Sequence, residues 1–148
     1  MEFNSQDAIS SKEATAYMTI DGQNIELFFA ESLSASLTKN KKEIRSLGKR
    51  MVGYKTTSAQ GKGTLKVHDI TSIFKEKFLE YVKNGVDIYF SIMVTNEDKS
   101  TMHGRETKIL TGCNFDEISI ASFDTADEIL EQELNFTYEG VELTEKFK

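Results

Sequence analysis

From residue 32 to residue 38 the chain alternates without a slip. Ser32, Ser34, Ser36 and Thr38 fall on one side and Leu33, Ala35 and Leu37 on the other. A period of two is met by an extended strand with one wet and one dry face. The same period returns at 129–138, where Leu130, Leu134, Phe136 and Tyr138 share one face and Glu131, Glu133, Asn135 and Thr137 the other. Apolar and β-branched runs at 14–20, 63–70, 87–95, 107–113 and 114–123 read as further strands. Asp21-Gly22 predicts a two-residue hairpin between the first strand and a long returning run over 24–38.

Only residues 71–84 carry helical spacing. Thr71 or Ser72 offers an N-cap, Lys83 suits the last turn, and Gly85 suits the position just after it. Phe74, Phe78, Tyr81 and Val82, supported by Ile73 and Leu79, form an apolar face expected to pack on the core. The predicted class is mainly β (α+β): an antiparallel β-sandwich or small barrel with one flanking α-helix. At 148 residues the chain reads as a single domain, 1–148, with a polar N-terminal arm over 1–12 and a long basic loop over 39–60. Phe3 and Ile9 are isolated apolar anchors in that arm.

Charge is sorted along the chain rather than interspersed. Lys39, Lys41, Lys42, Arg45, Lys49, Arg50 and Lys55 crowd one short stretch with Glu43 as its only acid, whereas residues 114–148 hold ten acids and two lysines. Small soluble domains normally mix their signs, because one-sign fields repel themselves and attract partners. The basic segment therefore has three readings: a solvated loop, a nucleic-acid contact, or a partner for the acidic segment of another copy. A pI near 5.0 and the lack of aromatic side chains interleaved as stacking platforms weigh against nucleic acid. The chain also has no proline, the residue that blocks pairing at strand edges.

Catalytic and metal-binding patterns are absent from the sequence. His68 and His103 lack ligand spacing, and with the lone Cys113 they cannot form a closed zinc site of the usual kind. His68 reads as a structural strand residue, His103 as a loop side chain and Cys113 as a buried, inert thiol. Gly61-Lys62-Gly63 precedes a strand pattern, whereas a phosphate cradle requires a helix N-terminus. Adjacent acids such as Asp116-Glu117 point to opposite faces of a strand. No enzyme and no cofactor are expected. A single cysteine, a polar acidic start and no apolar run of bilayer length predict synthesis in a reducing cytoplasm with no membrane partner.

Read from Ile44-Arg45-Ser46-Leu47-Gly48-Lys49-Arg50 onward, the chain resembles the tail tube proteins of contractile-tailed phages, specifically the core tail protein family of PBSX-type defective prophages. The likeness continues through Gly63-Thr64-Leu65, Thr71-Ser72-Ile73-Phe74 and Phe78-Leu79-Glu80-Tyr81-Val82-Lys83-Asn84-Gly85. It runs on through Asp87-Ile88-Tyr89-Phe90 and Val94-Thr95-Asn96-Glu97-Asp98 to Glu133-Leu134-Asn135-Phe136-Thr137. It spans nearly the whole chain and is carried by overall pattern rather than by a chemical motif.

The resemblance implies a structural subunit of a virion tail. Copies would close into hexameric rings stacked as an inner tube, with sheath and baseplate proteins as partners and DNA passing the lumen without specific binding. The long loop, with Lys39, Lys41, Lys42, Arg45, Lys49, Arg50 and Lys55, would reach the adjacent ring. A channel that lets a polyanion slide needs polar walls that are neutral or weakly acidic, since lysine-lined grooves grip DNA. Ser32, Ser34, Ser36 and Thr38 fit such a wall, with Glu117, Ser119 and Ala121 as a second face; the alternative is that both are outer solvated surfaces. Two rival readings remain open: a tube subunit of a bacteriocin or secretion device carrying no DNA, and a monomeric β-sandwich binding module.

Overall fold

The computed structural model describes residues 14–27, 30–68, 72–97, 103–121 and 131–147; the N-terminal arm predicted over 1–12 lies outside them. Eight strands and one helix occupy these residues. Strands β1 (Ala14–Ile20) and β2 (Gln23–Glu26) form the hairpin expected from Asp21-Gly22. Both turn residues have positive φ, 50° and 76°, the backbone that a two-residue turn of matching twist requires.

All pairing is antiparallel, in the order β2-β1-β5-β6-β7-β4-β3, with β8 also on β6. Here β3 is Ala30–Ile44, β4 Gly53–His68, β5 Phe90–Glu97, β6 Arg105–Ile118, β7 Glu131–Tyr138 and β8 Gly140–Glu145. The two strands predicted at 107–113 and 114–123 are one, β6, which belongs to both layers. Its first half pairs with β5 and β8, and its second half with β7. The turnover comes at Gly112, where φ is 64° and Glu139 N donates to Thr111 O. The sheet folds over there into a sandwich, and β2 and β3 do not meet to close a barrel.

One core lies between the layers. Met18, Ile20, Phe90, Ile92, Leu110 and Cys113 come from one side, Leu65, Val67, Leu134 and Phe136 from the other. Most of these positions were legible from alternation, because a sheet with one dry face buries every second residue.

Helix α1 (Ile73–Asn84) ends as predicted, with Gly85 left-handed at φ 71° and its N–H donated to Tyr81 O. It lies against the β1–β2 turn, where Lys77 pairs with Asp21, and against β6, where the Phe74 ring stands edge-on to Phe115 at 5.8 Å. The expected apolar face is only partly used. Phe74 is buried and Phe78 and Ile73 are half-buried, but Leu79, Tyr81 and Val82 are exposed. The stripe is wider than the surface that the body presents to it. No described helix is long and apolar enough to cross a membrane.

Candidate functional site

The basic segment is not a loop. Residues 39–60, predicted as one, continue the ladder of β3 with β4, which pair residue for residue out to Ile44 opposite Gly53. Only residues 45–52 connect the strands, around Gly48 at φ 82°. Two causes hide this pairing from a periodicity argument. Both faces of the ribbon are exposed, so no apolar alternation is required of it. A register shift between Asn40 and Lys41 also sets Thr57 outside the pairing and reverses the side-chain phase, with Thr57 Oγ1 donating to Asn40 O at 3.0 Å.

β4 pairs with β7 only from Gly61 to His68, so residues 38–60 rise from the body as two strands with no third. Seven residues of β3 lie beyond Leu37, a reach of roughly 23 Å at strand rise. The root is held by two glycines that make room for rings. Gly61 and Gly63 lie beneath Tyr138 and Phe136, and Tyr138 reaches across β4 to donate its hydroxyl to Ser36 O at 2.7 Å.

The seven cations divide over this ribbon. Lys39 and Lys41 project from one face, while Lys42 and Lys55 stand directly opposite each other on the second face. Arg45, Lys49 and Arg50 occupy the tip. Like charges directly across a ladder oppose pairing, and among the described residues only Arg45 has an ion-pair partner, Glu43 at 2.7 Å. Apolar side chains are set among them: Leu47 is fully exposed, Met51 86% and Tyr54 66% exposed. A surface combining unpaired cations with uncovered apolar groups has the composition of a contact, not of a solvated loop.

Of the residues predicted for a channel wall, Ser32, Ser34, Ser36, Thr38 and Glu117 share one surface. Ser32, Ser34, Ser36 and Thr38 lie opposite Lys66, Thr64, Lys62 and Gln60 of β4. The β4 residues Lys66, Thr64 and Lys62 in turn face Glu133, Asn135 and Thr137 of β7, and Asn135 faces Glu117 of β6. Thr64 Oγ1 donates to Asn135 Oδ1 at 2.9 Å across the centre. Serine and glutamate positions far apart in sequence are thus one polar sheet face. Ser119 and Ala121 need correction: β6 ends at Ile118, so neither continues its alternation. Ser119 instead accepts a bond from Gln132 Nε2 through its carbonyl. The sequence reading missed Lys62 and Lys66, whose phase on that face follows only from the β3–β4 register.

The other edge observation concerns β3 itself. It is the last strand in the order, and its outer side is unpaired among the described residues along all 15 positions. Behind it, a cleft of about 630 Å³ opens between the layers, lined by Ala16, Leu27, Leu33, Ala35, Val94 and Leu110. Cys113 is buried in the core, and burial pushes its thiol up to about 12, so it offers no nucleophile.

Comparisons with known proteins agree with this architecture. A family model described as phage tail tube protein matches residues 1–145. The chain is 38% identical over 146 residues to the phage-like element PBSX protein XkdM of Bacillus subtilis (strain 168), covering 99% of this chain and 97% of that one. In fold it is similar to a chain of the anti-feeding prophage baseplate, with a TM-score of 0.70, 12% identity and 97% of both chains covered. It is also similar to a chain of the PVC extracellular contractile injection system sheath–tube complex, with a TM-score of 0.66, 16% identity, and 93% of this chain and 91% of that one covered. With residues 1–145 matched by the family model and a relative 38% identical over 99% of the chain, this chain belongs to the phage tail tube protein family, whose members are structural subunits rather than enzymes.

Proposed function

We propose that this protein forms the inner tail tube of a contractile phage or prophage-derived particle, closing into hexameric rings that stack around a lumen for DNA. The observation that carries this reading is the β3 strand. An edge of such length, unblocked by proline or by a covering segment among the described residues, is a template for another strand. An isolated two-stranded ribbon is marginal in water, so residues 38–60 gain their order from a surface beyond the subunit. Ring closure satisfies the edge, and stacking satisfies the ribbon.

Charge gives the stacking its complement. Asp116, Glu139 and Glu142 have no salt-bridge partner among the described residues and are exposed. The tip cations Arg45, Lys49 and Arg50, with Lys39, Lys41, Lys42 and Lys55 behind them, are matched to such a surface on the adjacent ring. The wall of the lumen is the polar face of Ser32, Ser34, Ser36, Thr38 and Glu117, with Ser119 at its rim. Of its two lysines Lys66 bonds Glu131 at 3.0 Å and Lys62 has no salt bridge among the described residues, so the wall offers few of the uncompensated cations that grip DNA. Sheath and baseplate proteins are the outer partners. The subunit is made in the host cytoplasm and ends in the tail of the particle.

Electron microscopy of the concentrated purified protein tests this directly. Six-fold rings or stacked tubes are expected. A protein that stays monomeric at every concentration and alongside its sheath and baseplate would instead be a binding module.

A further inference from the structure

At the end of the sheet opposite the ribbon, three strands bring one imidazole and two carboxylates together. The β4–β7 register sets His68 against Glu131. The irregularity between Ala30 and Ser32 leaves Glu31 outside the ladder, where its side chain turns toward both. One ligand atom from each of Glu31, His68 and Glu131 lies within 4.8 Å of the other two.

This cluster is poorly resolved electrostatically by the chain alone. Two ionised carboxylates at such a separation repel one another, and among the described residues their one salt bridge is from Lys66 to an oxygen of Glu131 at 3.0 Å. The imidazole has a second deficit. His68 Nδ1 is buried and has no hydrogen-bond partner among the described residues, whereas groups of this kind are nearly always satisfied. A cation that accepts both nitrogen and oxygen donors neutralises the carboxylates and, if bound through Nδ1, also satisfies that nitrogen.

We propose that Glu31, His68 and Glu131 form a site for a single first-row divalent transition ion, with zinc the best match. One imidazole and two carboxylates are a common donor set for zinc, and the nitrogen disfavours magnesium and calcium. Bonds of about 2.0–2.2 Å in a tetrahedron set ligand atoms about 3.4 Å apart. The triangle therefore has to tighten by at most about 1.4 Å, through rotation of the exposed Glu31 side chain and a smaller adjustment of His68 and Glu131. Three protein ligands leave the fourth position to water or to a group from another copy. Such an ion ties the start of the unpaired β3 edge to β4 and β7, fixing the end of the sheet where the ladder is weakest.

The test uses untagged full-length protein, with zinc measured by equilibrium dialysis and cobalt as a visible-absorption probe of coordination. One ion per chain is expected, with at least about tenfold weaker binding in Glu31→Gln and in His68→Gln, and unchanged binding in Glu133→Gln and His103→Gln. Glu131→Gln also breaks the Lys66 pair, so the exposed Glu31→Gln decides the matter. Zinc should raise the melting temperature of the wild-type protein and leave that of Glu31→Gln unmoved. No stoichiometric binding, or binding as tight in Glu31→Gln as in the wild type, or binding lost in His103→Gln, overturns the site. None of these readouts requires rings or tubes to form.

Discussion

Replacing Gly61 with alanine should loosen the ribbon from its root. Neither Gly61 nor Gly63 has a positive φ, so the backbone itself imposes no penalty on a side chain there. The penalty is steric. A Cβ at position 61 would lie 2.4 Å from Tyr138 Cε2 and 2.5 Å from Cζ, against about 3.5–4.0 Å for a relaxed carbon contact. The ring has to move by more than an ångström, and the 2.7 Å bond from its hydroxyl to Ser36 O is drawn apart. Overpacking costs about 1–3 kcal/mol and the lost bond about 0.5–1.5 kcal/mol. The smaller unfolded-state entropy of alanine returns about 0.4–1 kcal/mol, which leaves a net loss of about 0.5–4 kcal/mol. Urea unfolding at unchanged slope measures it, with Gly53→Ala as control, since a Cβ there meets only Ile44 O at 3.7 Å. Equal midpoints for Gly61→Ala and the wild type would refute the packing argument, and normal tubes from an otherwise destabilised variant would refute the root's role in assembly.

Reversing Lys41, Lys42 and Arg45 to Glu should leave unfolding within about 0.5 kcal/mol per site, since all three are exposed, yet abolish stacking by electron microscopy; normal tubes would remove the ribbon from the ring contact. Assembly followed by light scattering should weaken as salt shortens the screening length from about 8 Å toward about 3 Å, and indifference to salt would transfer the contact to strand pairing and apolar groups. Tyr138→Phe should cost about 1 kcal/mol and speed amide exchange at the base of the ribbon; unchanged exchange would show that the ring alone holds it. The Cys113 thiol is raised from 9.0 to about 12 in the folded protein. The unfolded chain therefore loses that proton first, and stability should fall as pH rises from about 9 toward 12, a decline that Cys113→Ser should lessen.

Local chemistry made much of this fold readable. Asp21-Gly22 specified its turn, Gly85 stopped the helix, and alternation in β7 named the buried face, because each is fixed by neighbours within a few residues, whereas the dry side read at 32–38 is half-buried at Leu33 and exposed at Ala35 and Leu37. The misreadings share a different cause. The ribbon at 39–60 has no buried face, so its pairing left no apolar trace. Gly112 let β6 turn between layers without ending, which the sequence presents as two strands. Tyr81 and Val82 are apolar at helical spacing, but periodicity says nothing of whether a wall stands opposite. β8 carries Val141 and Leu143 exposed, in a stretch read only as an acidic tail. Likewise His68 meets Glu31 and Glu131 through register across three strands, and no spacing along the chain encodes it.

Because β3 and β4 run unbroken from the body wall to the tip, the same ladder that builds the wall also carries the outreach. Its hydrogen bonds lie across the strands. A pull along the ribbon therefore loads many of them side by side rather than peeling them one after another. The subunit is built to resist axial tension, and its weak direction is a sideways peel begun at the free border of β3, which a neighbour's strand would close.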